Sequence, residues 1–113
     1  MKTRKLEQST KLSKAKLDRL VEEAIVDCYN EAEQATGLYT MIEDHLQLPF
    51  ETVVLGVPVT VTAIDITEDD QIVAVCKHGS LKQKLPILEL PLPTPRPLGS
   101  KWIEAYRYWA RGG

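Results

Sequence analysis

Residues 41–66 read MIEDHLQLPFETVVLGVPVTVTAIDI, and the apolar period changes in the middle of them. Leu38, Ile42 and Leu46 recur at helical spacing, with Tyr39 beside them, so a helix is expected over roughly 38–47, stopped by Pro49. After Phe50 the period falls to two. The run TVVLGVPVTVTAIDI is rich in β-branched residues and reads as one long strand, bent or bulged at Gly56 and Pro58. QIVAVCK and SLKQKLPI read as two further strands, with turns at TEDD and KHGS.

Working back from this junction, Leu17, Leu20, Val21, Ala24, Cys28, Ala32 and Ala35 also keep helical spacing, and Ile25 widens the stripe. Ser13 is placed to cap that helix and Gly37 to end it, so two helices fold back as a hairpin near Gly37. Working forward, Pro91, Pro93, Pro95 and Pro97 stand at every second position. No two are three apart, which rules out a PxxP ligand and leaves an extended strap. Ser100 is expected to cap a last helix whose Trp102, Ile103, Tyr106 and Trp109 pack back on the domain. The class is therefore α+β: an N-terminal helical hairpin on a small, strongly twisted antiparallel sheet or an SH3-like partial barrel, then a short C-terminal helix. Residues 1–12 read as a basic flexible arm and 13–113 as a single domain.

Composition bounds the function. The 113 residues are 43% hydrophobic and 27% charged, as in ordinary soluble domains. No apolar run reaches the ~18 residues of a membrane span, and MKTRKLEQSTKLSKAK lacks the apolar core of a secretion signal. A cytoplasmic protein with no membrane partner is the expectation. Cys28 and Cys76 lack metal or redox spacing and read as reduced thiols. His45 and His78 have no Ser or Cys at triad spacing, and no glycine loop could cradle phosphate, so no enzyme activity is expected.

Charge is the strongest signal. The net charge is −2, yet residues 1–20 carry net +5, residues 21–70 net −12 with no lysine or arginine, and residues 71–113 net +5. The acidic centre disfavours nucleic acid as a partner. DITEDD imitates the start of an EF-hand loop, but Asp70 stands where the loop needs Gly and Cys76 where it needs Glu. Asp65, Asp69 and Asp70 then form either a solvated turn or a weak cation site. In a hairpin turning near Gly37, Glu31 and Glu43 would converge at the helix–helix seam, with Asp27, Asn30 and Asp44 nearby, whereas Glu22 and Glu33 point outward. Carboxylates gathered without counter-charge repel one another, and a hard oxygen-seeking cation such as Ca2+ relieves this. The other reading open to these acids is hydrogen bonding to backbone groups, or pairing with Lys82, Lys84 or Arg107.

The run Ile25-Val26-Asp27-x-Tyr29, then Glu31 and Glu33, Tyr39, Glu43-Asp44-x-Leu46 and Pro49-Phe50, with Tyr106-x-Tyr108-Trp109 at the end, resembles a small bacterial calcium-binding family first associated with cyanobacterial heterocyst differentiation. The resemblance implies an α+β calcium buffer or sensor outside the EF-hand plan, without catalysis. This chain carries Asn30 and Ala32 where that family tends to be acidic. The expected ligand set is Asp27, Asn30, Glu31, Glu43 and Asp44. The alternative function is a protein-interaction module that docks a partner through its acidic face or basic arm.

Overall fold

The computed structural model describes residues 12–113; the arm expected over residues 1–12 lies outside them, except for Leu12, which packs against the core. The chain runs α1 (Lys14–Ala24), α2 (Glu31–His45), β1 (Phe50–Val54), β2 (Val57–Ile66), β3 (Ile72–His78), β4 (Leu81–Pro86), a single 3-10 turn (Ile87–Glu89), an extended strap and α3 (Ser100–Ala110). It is an α+β protein. The sheet is an antiparallel meander in the order β1-β2-β3-β4, so of the two forms left open by the sequence the open sheet is the one observed.

Ser13 caps α1 as expected, its side chain accepting from the Lys16 N–H at 3.1 Å. The break between the helices is not where the apolar spacing put it. α1 ends at Ala24, and Gly37 lies inside α2. Asp27 takes a left-handed conformation at φ 66° between the two helices. Asn30 then caps α2 by accepting from the Glu33 N–H at 2.9 Å, and the Glu33 carboxylate reaches back to the Tyr29 N–H at 2.7 Å. This is a reciprocal capping arrangement. Gly37 serves a packing purpose instead: a Cβ there would sit 2.4 Å from the Ala24 carbonyl oxygen, so the end of α1 can cross α2 closely only over a glycine.

A second correction concerns the long strand. It is two strands, joined at Leu55 and Gly56, whose φ values of 51° and 79° are both positive, as a two-residue hairpin requires. The ladder irregularity falls between Val61 and Ala63, beyond Gly56 and Pro58. A third concerns α3. Ser100 is its first helical residue and Gly99 the cap, without a side-chain bond. A Cβ on Gly99 would meet the His45 carbonyl oxygen at 2.1 Å, so the start of α3 abuts the end of α2.

The three helices cover one face of the sheet. Leu20 and Ala24, Leu38 and Ile42, Val61, Ile64, Ile72 and Ala74, and Trp102, Ile103 and Tyr106 form one buried core. Hydrogen bonds fasten α3 to both other helices: Tyr108 donates to Asp18 at 2.7 Å and the Trp109 indole to Gln34 at 3.0 Å. The half-buried Arg107 guanidinium donates to the carbonyls of Ile87 and Leu90 and so holds the start of the strap. Thr52 Oγ1 donates to the Pro91 carbonyl at 2.7 Å and fixes the strap beside β1.

Candidate metal centre

The relocated helix break changes which acids can meet. Glu31 and Glu43 stand at opposite ends of one helix, about 18 Å apart along its axis at 1.5 Å per residue. They do not converge at a seam. Glu43 accepts a hydrogen bond from the Tyr39 hydroxyl at 2.9 Å. Burial, together with the Glu43 carboxylate, pushes the Tyr39 phenol above its ordinary pKa. Asp44 is exposed beside Glu43. Asn30 spends its side-chain oxygen on the helix cap. Asp27 lines a groove of about 450 Å³ at the α1–α2 junction, with Glu33 and Thr36.

Glu31 faces a different groove, of about 590 Å³, between the start of α2, the β2–β3 turn and the end of α3. Its walls include Glu31, Asp69, Asp70, Gln71, Tyr106 and Trp109 and, among the described residues, neither lysine nor arginine. Ala32 lines both grooves. Thr67 shapes the turn that brings in the two aspartates. Its hydroxyl accepts from the N–H groups of Asp69 at 3.3 Å and Gln71 at 3.1 Å, and its carbonyl accepts from the Asp70 N–H at 3.0 Å. Asp70 closes the turn at φ 63°, a conformation that aspartate tolerates.

Asp65, grouped with these aspartates in the sequence, is already engaged. One oxygen accepts from the Ile66 N–H at 2.8 Å and the other from Lys84 at 3.2 Å. The backbone N–H, then Lys84, hold its carboxyl below the usual pKa. Lys84 thus pairs with a strand acid and Arg107 with backbone carbonyls; neither meets an acid of the helices. Lys14 with Asp18 and Arg96 with Glu104 complete the ion pairs among the described residues.

Among the described residues, no three His, Cys, Asp or Glu side chains already converge as a metal cage. The groove instead offers separated hard donors: carboxylates, an amide and room for water. That donor set fits calcium, which accepts six to eight oxygens in flexible geometry, and suits thiophilic or imidazole-seeking metals poorly. Sequence reasoning found Glu31, Asp69 and Asp70 separately but did not join them, because their meeting depends on the packing of α2 over the β2–β3 turn.

An acid-lined groove on a helix-covered meander, without an EF-hand loop, offers hard oxygen donors to a cation. The family comparison specifies the cation: the CcbP-type calcium-binding family model, described as calcium binding, matches residues 18–110, and the chain belongs to that family. No curated protein and no solved structure matches the chain.

Proposed function

We propose that this calcium-binding protein takes up the ion in the groove between α2 and the β2–β3 turn, and that it acts as a cytoplasmic calcium buffer or sensor. Glu31, Asp69 and Asp70 supply the carboxylate oxygens, Gln71 an amide oxygen, and water the remainder. The observation carrying this reading is a groove with three carboxylates and, among the described residues, no cationic side chain in its walls. Asp27, across Ala32, adds negative potential; Glu43 and Asp44, at the far end of α2, take no part. Because the donors start apart, binding draws the turn toward the helix. Such coupled movement suits a sensor, and Trp109 in the same wall reports it.

Calorimetric titration with calcium and magnesium, paired with tryptophan fluorescence, tests the reading. The flexible donor set should favour calcium, since magnesium demands near-ideal octahedral geometry. Glu31→Gln and Asp69→Asn should each weaken calcium binding roughly tenfold through lost ligand charge. Glu43→Gln should leave it unchanged. Equal loss from Glu43→Gln would move the site to the other end of α2, and magnesium binding as tight as calcium would overturn the proposed coordination.

A further inference from the structure

The end of the sheet opposite the acidic turn carries an apolar tip with a cationic flank. In a meander the β1–β2 and β3–β4 turns share one end, and the β2–β3 turn, with Glu68, Asp69 and Asp70, occupies the other. At the shared end Leu55 is 98% exposed, Leu81 69%, Val53 53% and Val57 41%. Both turns stand clear of the body, since a Cβ added at Gly56 or Gly79 would meet no atom within 4 Å. His78 Nδ1 lies 2.9 Å from the Pro58 carbonyl oxygen and ties the two hairpins together.

Folding does not account for these residues. Leu55 occupies the left-handed region at φ 51°, where a hairpin turn favours Asn, Asp or Gly. A leucine there is strained, and its side chain is left in water. Lys77 lies directly opposite Lys82 in the β3–β4 ladder, a like-charge pair that destabilises a sheet. Lys84 follows on the same face of β4. No Asp or Glu occurs between Val53 and Ile64 or between Gln71 and Leu88, and Glu51, on the lysine face, stands in register with Lys77 two strands away.

We propose that this end docks on the surface of an anionic phospholipid bilayer. Leu55, Val53, Val57 and Leu81 enter the boundary between head groups and acyl chains, while Lys77 and Lys82 meet the anionic head groups. Docking is peripheral: no helix among the described residues is long and apolar enough to cross a membrane. A convex tip of two turns needs no matching pockets in a fluid interface, whereas a folded protein partner would have to supply them at fixed spacing. The acidic β2–β3 turn, at the opposite end of the sheet, is held away from the anionic surface.

Sedimentation of the whole chain with vesicles, in chelator so that the outcome is independent of calcium, tests this. The protein should sediment with phosphatidylcholine vesicles containing phosphatidylserine, stay in solution with phosphatidylcholine alone, and release as salt rises. Lys77→Gln and Lys82→Gln should each weaken binding about fivefold. Leu55→Asn should weaken it roughly tenfold by withdrawing an apolar anchor, yet raise the melting temperature because Asn suits the turn. Unfolding cannot produce that opposed pair of shifts. No binding to the phosphatidylserine vesicles, as expected if the tip serves an acidic protein instead, would overturn the proposal. So would equal binding to neutral vesicles, or undiminished binding by Leu55→Asn.

Discussion

Asp65 and Arg107 show how single side chains are committed in ways that spacing does not reveal. The Asp65 carboxyl is held below its ordinary pKa by the Ile66 N–H and Lys84. Its contribution to stability is therefore present above the unfolded value of about 3.9 and is lost as pH falls through the lower folded value. Melting temperatures followed downward from pH 5 should fall less steeply in Asp65→Asn than in wild type; parallel curves would show that the pairing adds nothing. In the sequence Arg107 is available to neutralise the acids of the helical hairpin, but its guanidinium is committed to backbone carbonyls. Burial lowers its pKa, and the Glu104 carboxylate opposes that shift. The guanidinium forks onto two carbonyls at the start of the strap. Arg107→Met should destabilise the fold by roughly 2–4 kcal/mol, because both carbonyls lose a charged donor; a denaturant midpoint equal to wild type would refute that role. Neither commitment was legible in the sequence, since Lys84 lies nineteen residues from Asp65, Leu90 and Ile87 lie seventeen and twenty from Arg107, and a charged side chain does not announce which oxygen it will meet.

At the scale of elements, the legible features were those enforced by local chemistry. Ser13 caps α1, the TEDD turn lies where it reads, the KHGS turn narrows to Gly79 and Ser80 because Lys77 and His78 stay in β3, and the Trp102, Ile103 and Tyr106 face of α3 is buried. The helix break was hidden because Ala24, Cys28, Ala32 and Ala35 keep helical spacing straight across it. The local marker was nevertheless present: Asn30-x-x-Glu33 is a helix-start signature. The first hairpin was hidden for a different reason. Leu55 stands where the turn would favour Asn, so the strand appeared to continue. Gly37 gives a direct test of the close α1–α2 crossing. On propensity alone, Gly37→Ala in mid-helix should stabilise by about 1 kcal/mol. Here the new Cβ would meet the Ala24 backbone, and a backbone neighbour cannot swing aside. We expect net destabilisation of roughly 1–3 kcal/mol, as for overpacked cores. A more stable Gly37→Ala protein would show that the end of α1 does not cross α2 closely at Gly37.

Across the whole molecule, the charge segregation visible in the sequence becomes a spatial one, but only after a long-range rearrangement. The absence of lysine and arginine from residues 21–70 leaves Glu31 facing Asp69 and Asp70 across one groove, with no cationic side chain in its walls among the described residues. Without calcium this arrangement is repulsive, and screening or neutralisation should relieve it. In chelator, added sodium chloride should therefore raise the melting temperature, and Glu31→Gln should match or exceed wild type. Calcium reverses the order. At a hundred times the dissociation constant it should add about 2.7 kcal/mol to wild type, a rise of roughly 10 °C for a domain of this size. Glu31→Gln should gain much less, and Glu43→Gln, whose carboxylate is bonded to Tyr39 at the other end of α2, should gain as much as wild type. If Glu31 instead had a purely structural role, Glu31→Gln would melt below wild type with and without calcium by the same margin. That parallel offset would remove Glu31 from the site, while a calcium-dependent crossing of the two curves would keep it there.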